Sequence, residues 1–262
     1  SLPGVRSLPV FRASLKRMVP VRLSALVVAA AAGAYFLYTY TTAVSGEATI
    51  IDGITFPSEI RASGSVQKLC GGGTRFKYNV AKVYAVALYF EPSAAARGGA
   101  DSLKPFVGST AAALGKSNKF YDALIAGKFA KSLLLQFHRS VGSDTITTAL
   151  KDSLSKKVSS SVLRKFSDAL GQALVGGSIP RGGKLSFHCK AESMQIAFGT
   201  PCVHSRHTQT LNTLFPAGDS SPASSLKEKG LCAAFFSLYY GNAPVSPTAK
   251  ESAAKAFASL YT

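Results

Sequence analysis

The pattern of apolar and polar positions divides the chain into an uncharged N-terminal stretch and a longer region of short strands and helices. Residues 23–44 carry no charged side chain. From about residue 48 onward, apolar residues alternate as in strands or recur at three- and four-residue spacing as in helices. Strands come first, then helices, then a hairpin, then helices again. This order predicts an α+β domain with a mainly antiparallel sheet, packed by helices.

The individual elements follow from the same spacing and from turn residues. A strand pair over 48–58 turns at Asp52-Gly53, and the glycines at 71–73 indicate a flexible break between two strands. Ser143 or Asp144 suits the N-cap of a helix. The predicted strands are 66–69, 75–78, 82–90, 130–139, 184–189 and 194–198, and the predicted helices are 117–127, 143–158, 160–175, 226–240 and one after Pro247.

The uncharged stretch has the length of a membrane span. As a helix its 22 residues would extend about 33 Å, enough to cross a bilayer core. Tyrosines gather in its second half, where amphipathic rings favour the membrane interface. Gly33 among alanines offers a small-residue face for packing on another membrane helix. A secretory signal and a buried core helix are the alternatives, and we predict a single transmembrane helix over 23–44.

The preceding residues, 1–22, form a basic leader without acidic side chains. Its charges are Arg6, Arg12, Lys16, Arg17 and Arg22. This composition is typical of mitochondrial or plastid import signals. By the positive-inside tendency, the leader would face the matrix and the following domain the intermembrane space. We therefore expect a single-pass protein of the mitochondrial inner membrane, with a plastid membrane as the alternative.

The net charge of the chain is +17, and it points to acidic partners. The region after the leader contains 25 of the 30 basic residues and all 13 acidic ones, so it keeps a charge of +12. A basic domain held near a bilayer is attracted to anionic headgroups or to acidic partner subunits. No zinc finger, RNP-like motif or helix-turn-helix pattern is present, so we expect no nucleic-acid binding.

Cysteines and histidines suggest a metal site only weakly. The four cysteines (Cys70, Cys189, Cys202 and Cys232) form no C-x-x-C pair, and their spacing does not indicate a disulfide framework. His188, Cys189, Cys202, His204 and His207 carry zinc-type ligands. His188 and Cys189 are adjacent on a predicted strand, so they should point to opposite faces. We expect neither a metal nor a cofactor; a Cys189–Cys202 disulfide is a minor alternative.

Three blocks carry a family resemblance. A glycine run with Thr-Arg-Phe (71–76) leads into an apolar strand (81–91), a strand-to-helix segment follows at 134–154, and 180–198 precedes the ending at 231–247. In order and spacing these blocks resemble the chalcone isomerase-like family over residues 48–262. The resemblance implies a large antiparallel sheet with helices on one face and a cleft between them. The membrane-anchored mitochondrial members of that family are the most similar in architecture.

The resemblance also implies what the chain has lost. Isomerases of the family close a ring using an Arg, a strand Thr, a helical Tyr, Lys and Asn, and a Thr on the penultimate helix. Arg75 matches the Arg. The other positions fall at Tyr84, Ile146, Ala149, Ser153 and Leu238. Losing the donors that stabilise a developing oxyanion typically costs orders of magnitude in rate, so we expect no isomerase activity.

Arg75 and Tyr84 remain as a candidate ligand site. In fatty-acid-binding relatives, an Arg and a Tyr at these positions resemble a clamp for the carboxylate. A guanidinium and a phenol at the bottom of an apolar cleft can hold a carboxylate while the tail lies among aliphatic side chains. The alternative is purely structural: Arg75 satisfies loop carbonyls, and Tyr84 is a core aromatic with a bonded hydroxyl.

These observations lead to one preferred function and one alternative. We expect a non-catalytic accessory subunit of an energy-converting complex (respiratory chain or ATP synthase) in the mitochondrial inner membrane, in contact with other subunits and with membrane lipids. Residues 200–222 resemble an insertion, and such surface loops commonly carry interactions. We expect this loop to contact another protein. The alternative function is a fatty-acid-binding module at the organelle membrane.

Overall fold

The computed structural model describes residues 48–78, 80–98, 102–174, 176–199 and 224–261. The strands are β1 (Thr49–Ile51), β2 (Ile54–Phe56), β3 (Glu59–Ala62), β4 (Ser65–Lys77), β5 (Ala81–Phe90), β6 (Lys131–Phe137), β7 (Val141–Gly142), β8 (Ser178–Ile179), β9 (Lys184–Lys190), β10 (Ser193–Gly199) and β11 (Ser224–Lys227). The helices are α1 (Ser93–Ala96), α2 (Ala111–Lys116), α3 (Asn118–Ala126), α4 (Ser143–Leu154), α5 (Ser160–Ala173), α6 (Leu231–Tyr240) and α7 (Pro247–Leu260), with a 3₁₀ turn at Lys104–Phe106.

Seven of these strands form one antiparallel sheet, which confirms the predicted α+β class. Their order is β11-β10-β9-β6-β5-β4-β3, and every neighbouring pair is antiparallel. β5 and β6 lie at the centre and are almost entirely buried. Both faces of such central strands must be apolar, which explains their continuous runs of Val, Leu, Ala and aromatic residues.

One face of the sheet carries the helices and the main core. Alternate residues of β5 (Tyr84, Val86, Leu88 and Phe90) point to this side, as the two-residue period of a strand requires. Phe187 of β9 stacks against Phe235 of α6, with ring centroids 4.2 Å apart. The apolar stripes of α4, α5 and α7 pack against the same surface. The helix α6, which is apolar nearly all round, packs there too.

The opposite face carries a smaller core under the β1–β2 hairpin. Phe56 packs there with Ala85, Ala87 and Tyr89, the intervening residues of β5. The hairpin turns at Asp52 and Gly53, where the sequence predicts it. Asp52 accepts hydrogen bonds from Thr74 (3.1 Å) and Lys82, which join the turn to β4 and β5.

The glycine run is not a break, contrary to the sequence prediction. β4 continues from Ser65 to Lys77 through Gly71–Gly73, with a register shift between Leu69 and Gly72. A Cβ atom at Gly73 would lie 2.4 Å from the backbone nitrogen of Ala249 in α7. The run therefore lets α7 pack directly on the strand backbone, which no residue with a Cβ atom permits.

Three further predictions are wrong in detail. Cys189 of β9 forms a disulfide with Cys232 of α6, so the considered Cys189–Cys202 bond is excluded. The helix predicted over 226–240 begins only at Leu231, because residues 224–227 pair with β10 as an edge strand. The N-cap of α4 is Gly142, without a side-chain hydrogen bond, and not Ser143 or Asp144.

Several predicted features lie outside the described residues: the leader, the span over 23–44 and the insertion over 200–222. In the part of the chain that is described, every helix is too short or too polar to cross a bilayer.

Candidate functional site

A cleft opens between the helix face of the sheet and the helices α4 and α6. β4 contributes Arg75 and Lys77 to its wall, and β5 contributes Val83 and Tyr84. The remaining lining residues come from the helices and the adjoining loops: Val141, Thr145, Ile146, Ala149, Leu150, Ser153, Leu238, Tyr239 and Val245. The cleft is thus an apolar space with a few polar groups on one wall, as small-molecule sites usually are.

Arg75 and Tyr84 face each other across the β4–β5 ladder. Their Cα atoms are register partners, and both side chains line the cleft. The register shifts immediately afterwards, between Arg75 and Phe76. Such bulges are common beside functional sites because they redirect a side chain. The two residues that the sequence singles out are therefore brought together at one wall.

Arg75 is half-buried and only partly engaged by the protein. Its Nη1 donates to the carbonyl oxygen of Val245 at 3.1 Å. Among the described residues, no carboxylate lies within ion-pair distance of its guanidinium, and no second acceptor is bonded to it. A guanidinium has five N–H donors. One N–H group bonds a loop carbonyl, as the purely structural interpretation of Arg75 expects. The other four N–H groups have no bonded acceptor among the described residues.

Tyr84 forms a buried phenol pair with Tyr239 of α6. The two hydroxyl oxygens are 2.9 Å apart, and both side chains are almost fully excluded from solvent. One hydroxyl proton bridges the two oxygens. The other has no acceptor among the described residues. One hydroxyl proton therefore bonds within the pair, and the second proton can be donated to a ligand.

Burial keeps both phenols protonated. Desolvation raises the pKa of Tyr84, and the hydrogen bond with Tyr239 and the charge of Arg75 partly offset this rise. Desolvation also raises the pKa of Tyr239 well above its usual range. At neutral pH the wall thus presents a cation and a hydroxyl donor, and no negative charge. An anionic oxygen fits this electrostatic pattern.

The positions expected to have lost isomerase donors all lie at the cleft. Ile146, Ala149 and Ser153 follow one stripe of α4 at three- and four-residue spacing, and Leu238 faces them from α6. Ser153 is the one hydroxyl among them, and its Oγ donates to the carbonyl oxygen of Ala149 at 2.7 Å. The helix wall is therefore mainly apolar, whereas Arg75 and Tyr84 form the polar wall.

The volume of the cleft limits what it holds in this conformation. It encloses about 150 Å³, a size at which an apolar cavity accommodates roughly a benzene ring. Sites for larger ligands measure about 300 Å³ or more. The cleft thus takes a carboxylate with a short stretch of chain; a longer tail requires α4 to move or the tail to leave through the open side.

Tyr239 and Lys77 are site residues that the sequence prediction missed. Tyr239 lies on α6, whose residues are apolar nearly all round, so no helical stripe distinguishes its cleft side. Lys77 is exposed at the end of β4, with Nζ 5.2 Å from the ring centroid of Tyr78. An alternation of cleft-facing residues along β4 (Arg75, Lys77) is the signal that would have indicated Lys77.

The described part of the candidate metal-ligand set, His188 and Cys189, does not converge on one point. His188 and Cys189 point to opposite faces of β9, as expected: Cys189 is in the disulfide, and Nδ1 of His188 lies 2.8 Å from Oγ of Ser132. Burial lowers the pKa of His188 to about 4. Among the described residues no group of three or more His, Cys, Asp or Glu side chains is placed to hold a metal. Cys202, His204 and His207 lie outside those residues.

Comparisons with known proteins identify the fold. No family model matches the sequence, and no curated protein matches it. Among solved structures, the chain is similar to a fatty-acid-binding protein from Arabidopsis thaliana, with a TM-score of 0.59 and 20% sequence identity. The match covers 82% of this chain and 99% of that protein. The neighbour belongs to the chalcone isomerase-like fold family, and at this identity the likeness shows the fold alone: the domain has the chalcone isomerase-like fold.

Proposed function

We propose that the domain binds the carboxylate of a fatty acid or a similar amphipathic acid, and that it does so without catalysis. The observation that carries this proposal is the polar wall of the cleft. Among the described residues, four N–H donors of the guanidinium and one proton of the adjacent phenol pair have no acceptor. A carboxylate accepts from both groups, and the helix wall offers apolar contacts for the first part of the tail.

The similarity to a fatty-acid-binding protein supports this proposal at the level of fold. Fold alone does not carry function, since one fold hosts many activities. The argument therefore rests on Arg75, Tyr84 and Tyr239, whose geometry is independent of the comparison.

The absence of isomerase chemistry is part of the proposal. Ring closure needs donors aimed at a developing enolate. Here the matching positions Ile146, Ala149 and Leu238 have no polar side-chain atom, and the hydroxyl of Ser153 donates to the carbonyl oxygen of Ala149; Thr145 adds a hydroxyl to the helix wall, but no amine or amide side chain lines that wall among the described residues. The expected rate of chalcone cyclisation with the purified protein equals the uncatalysed rate, and cyclisation above that background would overturn this part of the proposal.

Titration of delipidated full-length protein with fatty acids of graded length tests the binding proposal. Arg75→Ala is expected to weaken binding roughly 10- to 100-fold, because a hydrogen bond to a charged group contributes about 1.5–3 kcal/mol. Arg61→Ala removes an exposed arginine on β3 and serves as the matched control. Equal affinities for the two variants would show that Arg75 does not hold the ligand.

Tyr84→Phe removes the hydroxyl with little change in shape. The expected loss is about tenfold, the lower end of the range for a hydrogen bond to a charged group, about 1.5 kcal/mol. Tyr89→Phe is its control: Tyr89 lies on the other face of β5, where its hydroxyl donates to Pro57 at 2.9 Å. A similar loss of affinity in both variants would indicate a general effect on folding.

A second candidate role is that of an accessory subunit in a mitochondrial inner-membrane complex, with the domain in the intermembrane space. Two observations favour it. The basic leader and the uncharged stretch over 23–44 have the composition of an import signal and a span. Disulfides such as Cys189–Cys232 persist mainly in oxidising compartments, and the intermembrane space of this proposal would have to be one of them. Co-migration of the tagged chain with a large complex in native gels supports this role, and migration as a free monomer would count against it.

A further inference from the structure

The β4–β5 hairpin exposes apolar side chains at its tip. Tyr78 is 83% exposed and Val80 is 80% exposed, the two most exposed large hydrophobic residues among those described. Phe76 precedes them on the same hairpin and is 36% exposed. Isolated exposed apolar residues are ordinary, but three of them at one hairpin tip form a patch.

The backbone at the tip makes the choice of tyrosine unusual. Tyr78 has a φ of 55°, in the left-handed region that favours glycine or asparagine. The other described non-glycine residues with positive φ are Asp52, Ser63 and Ala191, which are small. A large aromatic side chain thus stands in solvent at a position where its own backbone disfavours it.

Basic side chains surround this tip. Four segments meet at this end of the sheet: the end of β4, the start of β5, the end of β6 and the turn before β9. Backbone hydrogen bonds join them, from His138 N to Val83 O (3.0 Å) and from Gly182 N to Phe137 O (2.8 Å). Lys77, Arg139 and Arg181 are exposed there, and none has a carboxylate within ion-pair distance among the described residues. We call this surface, with Tyr78 and Val80, the basic end of the sheet.

Acidic groups at the same end do not cancel this charge. The carboxylate of Asp52 already forms an ion pair with Lys82, and its Oδ2 lies 3.2 Å from Nε2 of His138. Asp144, at the first turn of α4, forms no ion pair with a basic side chain among the described residues. The surface therefore combines an amphipathic aromatic ring, an aliphatic side chain and three exposed cations that have no carboxylate partner among the described residues, the composition that favours an anionic bilayer interface.

We propose that the basic end of the sheet docks on the surface of an anionic lipid bilayer, with Tyr78 and Val80 at headgroup depth. The cations contact the lipid phosphates, and the charge of +12 after the leader favours the same approach. Lys77 belongs both to this surface and to the cleft wall, so docking brings that wall of the cleft close to the lipid. The docking surface itself does not depend on whether the cleft binds a fatty acid.

The absence of tryptophan from the chain allows a local test in the full-length protein. Tyr78→Trp introduces a single fluorophore at the hairpin tip. With vesicles of phosphatidylcholine and phosphatidylglycerol, we expect its emission to shift to the blue and to be quenched by brominated lipid. Val107→Trp is the control: Val107 is 44% exposed, and its neighbour Gly108 bonds Tyr261, which packs on Phe90 at the opposite end of β5. Its emission should not change. Because the readout is local, binding through another segment does not produce it.

A charge variant completes the test. Arg139→Glu with Arg181→Glu, in the Tyr78→Trp background, should weaken the vesicle response about tenfold or more, because each basic residue near an anionic surface contributes about fivefold. An unchanged Tyr78→Trp emission, or an equal shift in Val107→Trp, overturns the proposal. The proposal is also overturned if the Tyr78→Trp emission does not change with vesicles but shifts in a purified native complex. That result would assign the surface to a protein partner. The vesicles contain no free fatty acid, so failure of the cleft proposal leaves this result unaffected.

Discussion

The hydroxyl of Tyr84 on β5 lies 2.9 Å from the hydroxyl of Tyr239 on α6, at the point where the sheet and the helices enclose the cleft. This bond joins the two layers of the domain beside Arg75. It also leaves one phenolic proton without an acceptor in the part of the chain that the structure describes. The same pair therefore stabilises the packing of α6 and provides a donor for an anionic ligand.

The helix wall of the cleft offers a test of binding that leaves the polar wall untouched. Ala149 is an exposed residue of α4 that lines the cleft. Ala149→Phe should fill much of the 150 Å³ and abolish fatty-acid binding, with little effect on stability. Thr148→Phe places the same side chain on an adjacent exposed position outside the cleft. Retained binding in Ala149→Phe, measured by calorimetric titration, would show that the ligand lies elsewhere.

Gly73 is expected to be intolerant of any side chain. A Cβ atom there would lie 2.4 Å from Ala249 N and from Oγ1 of Thr248. Because α7 must then move off the strand, Gly73→Ala should lower the free energy of unfolding by about 1–3 kcal/mol or more. Urea denaturation measures this loss.

Gly171 provides the matched control for that substitution. It lies within α5, and an added Cβ would meet nothing within 4 Å. Gly171→Ala should therefore stabilise the domain by about 0.5–1 kcal/mol, through the better helix propensity of alanine. Similar losses in both variants would contradict the close approach of α7 to β4.

Much of the fold was predictable from sequence because period-two and three-to-four spacings are local properties. The β1–β2 hairpin, the central strands β5 and β6, the β9–β10 hairpin and the helix after Pro247 all follow from them. The glycine run was misinterpreted because its meaning depends on α7, which follows about 175 residues later in the chain. Local sequence carries no sign of that contact, so flexibility was the only local explanation.

The candidate site was predictable only in part. Arg75 and Tyr84 were identified through a family resemblance, and their register pairing brings them together. Tyr239 was not identified from the sequence. Because α6 is apolar on nearly all sides, the periodicity does not distinguish its cleft-facing side. The disulfide was missed because 43 residues separate Cys189 from Cys232, with no motif that links them.

His188 should make stability depend on pH. Burial lowers its pKa to about 4, whereas an unfolded histidine titrates near 6.5. Between these values the unfolded state binds more protons, so stability falls as the pH drops from about 6.5 to about 4, by up to roughly 3 kcal/mol. His188→Gln can keep a hydrogen bond to Ser132 and should remove this component. Identical pH profiles of urea midpoints for the two proteins would contradict the assignment.

The Cys189–Cys232 disulfide should contribute measurably to stability. Its ends are 43 residues apart, a separation at which the chain-entropy model gives about 4 kcal/mol. Cys232→Ser should lower the denaturation midpoint under oxidising conditions and leave no further effect of reductant. Cys70 is the free buried cysteine of the described region, so Cys70→Ser leaves the disulfide intact and should keep its sensitivity to reductant.

The most direct test of the central claim is the lipid content of the full-length protein as isolated from membranes. Extraction and mass spectrometry of the wild type should find about one free fatty acid per chain. Arg75→Ala should lose most of it, while Arg61→Ala should retain it. A wild-type protein without bound fatty acid, which also fails to take up added fatty acid after delipidation, would contradict the account.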